Sequence, residues 1–258
     1  MKMNSKIAIT VSTVLIIGSL LIPIGAVAQS PTGQARGVCG RFNEVSGKVN
    51  DRFADRLAKL ETKRTNRLAE IAKRRADRDA KLAANRTKWD AERAEHFKKL
   101  ESKANTDNQK AAVSTFEATV NAAVATRRTA VDKAIADYRA GVDSAIASRK
   151  TQIDAAISTF KSSQQAAISK AQSDCASGVD GKTVREALTS SLKAARDKLK
   201  SDVAAAEKVK DQIAALEQTR RTAIQQAISD FKTTVQTATV ALKAAFGKTA
   251  TTSPAATP

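Results

Sequence analysis

The residue types that support covalent or metal chemistry are sparse in this chain of 258 residues. It has two cysteines, Cys39 and Cys175, and one histidine, His96. Two cysteines can form one disulfide, but a metal site needs further ligands at a recognised spacing, and His96 has none. The sequence also lacks a glycine-rich phosphate loop and a nucleophile motif. We therefore expect no catalytic, cofactor-binding or metal-binding residues, and no enzymatic activity.

Basic side chains are the other candidate functional groups, because lysine and arginine bind phosphates and anionic polymers. The net charge is +18, and the excess is largest in residues 39–104. Aromatic residues are only 3% of the chain, and acidic residues are interleaved with the basic ones, so nucleic acid is the least favoured anion. The expected contacts with an anionic partner are Lys63, Arg64, Arg67, Lys73, Arg74, Arg75, Arg78 and Lys81.

The N-terminus has the layout of a secretory signal. Lys2 and Lys6 precede an apolar run, and small residues end the segment at Ala28. This predicts a signal peptide over residues 1–28 and an exported chain. The apolar run is long enough for an uncleaved membrane anchor, which is the alternative. Export also places the two cysteines in an oxidising environment, where they pair.

An apolar residue recurs every eleven residues through the middle of the chain. Eleven residues in three helical turns is 3.67 per turn, so the apolar positions stay on one face of a nearly straight helix. The alanine that precedes each of them lets a neighbouring helix come close. Trp89 and Tyr138 lie at or beside this spacing, which predicts that both are core residues. The column consists of Val113, Val124, Ile135, Ile146, Ile157 and Ile168.

This periodicity is similar to that of exchangeable apolipoproteins and of desiccation-protective helical proteins. A lipid-binding helix usually carries a broad face of large apolar residues flanked by lysine. Here the apolar strip is narrow and β-branched, and Asp132, Asp143 and Asp154 follow it closely. The pattern favours burial of one helix against another. The predicted fold is an all-α, rod-like, long antiparallel three-helix bundle or coiled coil with eleven-residue (hendecad) repeats.

Two breaks divide the helices. At the second, Gly178 suits the left-handed residue that ends a helix, and Thr183 with Glu186 suits a capping box for the next helix. Helices of roughly 60 to 65 residues would be on the order of 95 Å long. The predicted segments are a linker at 29–40, a basic first helix at 41–104, a turn at 105–109, a second helix at 110–176, a turn at 177–182, a third helix at 183–246 and a Thr/Pro-rich disordered tail at 247–258.

The positions of the cysteines support a hairpin. Their midpoint is Asp107, inside the first predicted turn, so a reversal there returns Cys39 to the level of Cys175. A disulfide that closes so long a loop stabilises the fold by about 4 kcal/mol. The sequence therefore predicts a Cys39–Cys175 disulfide.

Three functions are consistent with these features. The first is a non-enzymatic structural spacer, scaffold or protein-interaction module that is secreted, periplasmic or at the surface of a cell envelope. Homo-oligomers are consistent with this function. The second is a protein whose basic first helix binds anionic lipid or an envelope polymer. The third and weakest is a secreted nucleic-acid binder. The sequence names no specific partner.

Overall fold

The structure, a computed structural model, describes residues 38–206 and 209–247. The predicted signal peptide, residues 29–37 of the predicted linker and residues 248–258 of the predicted tail lie outside the described residues. Within the described residues, all regular secondary structure is helical, which confirms the all-α class. A short 3₁₀ helix occupies Val38–Arg41. The α-helices are α1 (Phe42–Glu101), α2 (Asp107–Ala176), α3 (Gly181–Ala206) and α4 (Val209–Ala245).

The connection between α1 and α2 is fixed by a capping box. The Gln109 backbone N–H donates to Thr106 Oγ1 at 3.2 Å, and the Asn105 N–H donates to Gln109 Oε1 at 2.9 Å. These bonds satisfy amides at the start of α2 that have no partner inside the helix. The helix therefore begins at Asp107 rather than at residue 110, and α1 ends at Glu101 rather than at residue 104.

The connection between α2 and α3 agrees with the prediction at one end only. Gly178 has a φ of 77°, and the Val179 N–H donates to the Asp174 carbonyl at 3.0 Å, as in a Schellman motif. The predicted capping role of Thr183 is wrong, because Thr183 lies inside α3. Asp180 caps that helix instead, and its Oδ1 accepts hydrogen bonds from the backbone amides of residues 182 and 183 at 3.0 Å.

The chain divides into two compact units. Of the described residues, the first unit takes those from 38 to 70 and those within Ala145–Gln212. In its core, α1, α2 and α3 contribute apolar side chains such as Phe53, Phe160 and Leu199, which are 4 to 7% exposed. The two phenylalanine rings lie 6.0 Å apart, centre to centre. A smaller cluster packs Ala171, Val184, Ile168, Cys175 and Leu188 between α2 and α3.

Of the described residues, the second unit takes Ile71–Ser144 and those from 213 to 247. Its core brings Phe97 of α1 against Val120 and Val124 of α2, with Phe231 and Val235 of α4 packed beside them. Helices α2 and α4 come close at a glycine. A methyl group at Gly141 would lie 2.7 Å from Leu216 Cδ2, so the absence of a side chain there makes room for α4.

The predicted core residues of α2 are buried or half-buried, including every member of the Val113 to Ile168 column. Tyr138 is 9% exposed, as predicted. The prediction that Trp89 is a core residue is wrong, because this side chain is 46% exposed. It lies beside the strip of α1 that faces α2, where Arg86 and Asp90 make the contacts with α2.

Candidate functional site

Polar contacts between α1 and α2 are concentrated in four bidentate salt bridges of the second unit, which we call the ion-pair ladder. In each, two guanidinium nitrogens donate to the two oxygens of one aspartate, at distances of 2.6 to 3.0 Å. Bidentate pairs of this kind fix the direction as well as the distance of a contact. The pairs are Arg75–Asp143, Asp79–Arg139, Arg86–Asp132 and Asp90–Arg128.

The ladder repeats with the eleven-residue spacing of both helices. On each helix an arginine is followed four residues later by an aspartate, for example Arg86 and Asp90 on α1 and Arg128 and Asp132 on α2. Because the helices are antiparallel, the arginine of one motif lies opposite the aspartate of the other. The motif is thus self-complementary. A pair that lies eleven residues later on α1 lies eleven residues earlier on α2.

The first unit contains a related contact. Arg64 Nη1 lies 2.8 Å from an oxygen of Asp154. This pair has the same register as the ladder, because Arg64 lies eleven residues before Arg75 and Asp154 lies eleven residues after Asp143. Lys150, four residues before Asp154, also donates to that carboxylate, at 2.7 Å. The Arg64 side chain is only 20% exposed, and the Asp154 carboxylate balances its positive charge.

The arginines change the acidity of their partners. The hydrogen bond from Arg128, with a second from Arg93, lowers the pKa of Asp90 to about 2. Hydrogen bonds from Arg139 and Arg75 lower the pKa values of Asp79 and Asp143. These carboxylates are therefore ionised throughout the neutral and mildly acidic range, and the salt bridges persist there.

Cys39 and Cys175 form a disulfide with a Cα–Cα distance of 5.7 Å, as predicted. The bond links the 3₁₀ helix before α1 to the last turn of α2, and the 3₁₀ helix also contacts α3. Because 136 residues separate the cysteines, the bond closes nearly the whole α1–α2 hairpin.

The eight predicted anion contacts do not share one environment. Arg64 and Arg75 face α2 and are held by Asp154 and Asp143. The other six are exposed, and among them Lys63, Lys73 and Lys81 form no salt bridge with another described residue. An anion-binding role for these residues stays a prediction, and an external anion would reach the exposed six more easily: Lys63, Arg67, Lys73, Arg74, Arg78 and Lys81.

The pairing of the α1 ladder residues with charged residues of α2 was not predicted from the sequence. The signal was present, because Arg64, Arg75 and Arg86 share one eleven-residue column that begins at Phe53 and ends at Phe97. Both phenylalanines are buried, so the column faces the interior. An arginine in an interior column is stabilised by an acidic partner on the neighbouring helix, and the aspartates that follow the apolar column of α2 have the matching spacing.

Comparisons with known proteins supply no relative: no protein-family model, curated protein or solved structure matches this chain. Among the residues that the structure describes, no helix is both long and apolar enough to cross a membrane. The same residues contain no cluster of three or more histidine, cysteine, aspartate or glutamate side chains that could hold a metal ion.

Reversing one motif of the ladder tests whether the pairs contribute to stability. We expect the double variant Arg86→Asp/Asp90→Arg to lower the thermal unfolding midpoint by about 5 °C, because it places like charges opposite each other at two pairs. Adding Arg128→Asp and Asp132→Arg should restore most of the loss. Neither variant changes the net charge, and both remove the contact of Asp90 with Arg93. Equal midpoints for the double and quadruple variants would contradict a role for the ladder.

The lowered aspartate pKa values predict sensitivity to acid. A carboxyl whose pKa is lower in the folded state contributes stability above its unfolded pKa, here about 3.8, and loses that contribution as the pH falls through the folded pKa. We expect a nearly constant unfolding midpoint from pH 6 to pH 5 and a steep fall from about pH 4 to pH 2. Asp90→Asn should flatten that fall, whereas Asp137→Asn, at an exposed pair with Lys133, should change it little. Thermal melts followed by circular dichroism measure how the unfolding midpoint of each variant depends on pH.

Proposed function

We propose that this protein is a non-enzymatic, exported helical scaffold that acts as a spacer or protein-interaction module at a cell envelope. In this proposal the helices form a straight, rod-like coiled coil with hendecad repeats. The observation that carries it is the α1–α2 interface, in which bidentate salt bridges recur at one register and a disulfide closes the hairpin. A spacer needs helices that are held in a fixed alignment, and these contacts favour one.

The distribution of polar groups also supports a structural role. The arginines and aspartates of the ladder are engaged with one another, so they are not available as free acids, bases or ligands. Salt bridges at an interface contribute more to alignment and specificity than to binding strength. The long helices offer outer faces on which a partner could bind without disturbing the core.

Small-angle scattering of the chain from residue 29, oxidised and then reduced, tests the proposed shape. With α2 at 70 residues and about 1.5 Å per residue, the scaffold should have a maximum dimension on the order of 100 Å. Reduction should loosen it without doubling its length. A compact globular particle would contradict the rod, and a particle about twice as long would mean that helices of different chains pair.

Export has its own test. The full-length chain, expressed in a secreting bacterial host, should appear in the envelope or medium fraction with a mass that corresponds to cleavage after Ala28. Retention at full mass in the membrane fraction would support the uncleaved anchor. Accumulation in the cytosol with both thiols reduced would contradict an envelope function.

A second candidate function is binding of an anionic lipid or envelope polymer by the first helix. The exposure of six of the eight predicted contact residues favours it, and Lys73 and Lys81 have no competing salt bridge within the described residues. Sedimentation with anionic vesicles or wall polymer at low salt, with and without Lys73→Glu/Lys81→Glu, tests this function. Binding that neither the substitutions nor salt weakens would contradict it. A nucleic-acid binder remains the weakest proposal.

A further inference from the structure

The second unit contains a surface groove between α1, α2 and α4 that the scaffold function does not use. Its volume is about 330 Å³, at the small end of the range for protein sites that bind small molecules. Such sites combine apolar walls with a few converging polar groups. The lining residues are Trp89, Arg93, Val120, Val124, Arg127, Arg128 and Phe231.

The walls of the groove are apolar and partly aromatic. Val120 and Val124 are 7% and 5% exposed. Phe231 of α4 is half-buried, and Trp89 of α1 is 46% exposed. Trp89 is the only tryptophan of the chain, so a large aromatic surface that could have been buried is instead open to solvent beside the groove.

The groove contains more positive charge than its carboxylates neutralise. Arg93 and Arg128 both donate to Asp90. Arg127 forms no salt bridge or hydrogen bond with another residue in 38–206 or 209–247, and its guanidinium carbon lies 4.1 Å from the centre of the Phe231 ring. Two neighbouring arginines therefore share one aspartate, and a third has only an aromatic face.

A further feature is the position of Arg127 in an interior column of α2, which also contains Phe116, Tyr138, Arg149 and Phe160. Burial lowers the pKa of Arg127, and the nearby charge of Arg128 lowers it further, so the cationic form is disfavoured by its surroundings. A half-buried cation without a carboxylate costs stability, and an anion brought to it would recover that cost.

We propose that this groove binds a small amphipathic carboxylate, with the carboxylate on Arg127 and the apolar chain or ring against Trp89, Val124 and Phe231. Guanidinium groups match carboxylates in planar geometry, which favours this anion at a single arginine. The apolar walls require a ligand with an apolar body, so a simple inorganic anion lacks half of the interaction.

Trp89 makes the proposal directly measurable, because all tryptophan fluorescence of the chain comes from the edge of the groove. The full, oxidised chain is titrated with decanoate below its micelle concentration, with acetate and with decanol. Decanoate should produce a saturable fluorescence change, while acetate lacks the apolar body and decanol lacks the charge. Both should bind at least about tenfold more weakly. Equal binding of decanol, or no saturation with decanoate, would overturn the proposal.

Arg127→Gln should weaken decanoate binding at least about tenfold, measured by fluorescence and by calorimetry. The matched control is Lys133→Gln, which removes one positive charge from the exposed face of α2 and leaves the groove intact. Without ligand, Arg127→Gln should unfold at or above the midpoint of the parent chain, because it removes a cation that has no carboxylate partner among the described residues. An equal loss of affinity in both variants would show a general charge effect and overturn the assignment.

Calorimetry also allows a test of the aromatic wall. Trp89→Ala should weaken decanoate binding several-fold and leave acetate binding unchanged, and an unchanged decanoate affinity would contradict a role for the wall. Arg127→Lys keeps the charge but loses the planar guanidinium. Its affinity for decanoate should lie between that of the parent chain and that of Arg127→Gln. Because neither result depends on the scaffold function, failure here leaves that proposal intact.

Discussion

Replacing both Cys39 and Cys175 with serine is expected to lower the free energy of unfolding by about 4 kcal/mol. The disulfide spans 136 residues, so its loss frees a very long loop in the unfolded chain, and the entropy of that loop favours unfolding. The bond also holds the beginning of α1 close to the end of α2. Denaturant unfolding of the parent and the double variant, both under oxidising conditions, measures the difference.

Reductant provides the matched control for this variant. It should lower the stability of the parent chain to that of the serine variant and should leave the variant unchanged. Hydrogen exchange should accelerate most in the first turns of α1, which lose their covalent tie to α2. Parent and variant chains of equal stability would contradict a stabilising role for the Cys39–Cys175 disulfide.

Phe160→Ala is expected to destabilise the protein by about 3 to 5 kcal/mol. Phe160 is 6% exposed and belongs to the core cluster that joins α1, α2 and α3, where its ring packs against Phe53. The substitution leaves a cavity among residues on three helices, and it removes an aromatic pair that contributes beyond its buried area. Denaturant unfolding with an unchanged m-value would assign the loss to the native packing.

Leu68→Ala serves as the control for the core substitution. Leu68 belongs to the same unit but is 50% exposed, so its truncation should change stability by no more than about 0.5 kcal/mol. Similar effects of the two substitutions would mean that the cluster around Phe160 is not the core of this unit.

The general features of the fold could be predicted because they depend on spacing. The eleven-residue apolar column predicted α2, and the midpoint of Cys39 and Cys175 predicted both the reversal and the disulfide. Gly178 was identified because a left-handed backbone conformation favours glycine. Each of these inferences needs only the geometry of a helix, the steric limits of the backbone, or the number of residues between two positions.

The rest could not be predicted because it depends on which neighbour a side chain meets. Thr183 and Asp180 are both good capping residues, and the structure uses Asp180, so local sequence did not decide between them. The basic residues of α1 raised the same difficulty. The sequence predicts that Arg75 contacts an anionic partner, yet it contacts Asp143 across the interface. The column that Arg75 shares with Phe53 and Phe97 indicates an inward position, but only the structure shows which aspartate Arg75 contacts.

The ladder alone does not determine the register of α1 against α2, but other contacts do. Because its motif repeats every eleven residues, a slip of one repeat would bring Arg86 opposite Asp143 and still form salt bridges. The disulfide forbids such a slip, and the capped turn at Thr106 fixes where α2 begins. The ladder therefore strengthens the alignment of α1 and α2, and the disulfide and the capped turn determine the register.

The measurement that tests this register most directly is zero-length carbodiimide coupling in the Arg86→Lys variant, read by peptide mass spectrometry. The coupling joins an amine to a carboxylate only when the two are in contact, and Arg86 Nη2 lies 2.6 Å from Asp132. A mixture of isotope-labelled and unlabelled chains separates bonds within a chain from bonds between chains. We predict that position 86 couples to Asp132 of the same chain. Coupling to Asp143, or only between chains, would contradict a hairpin that forms within one chain and has one register.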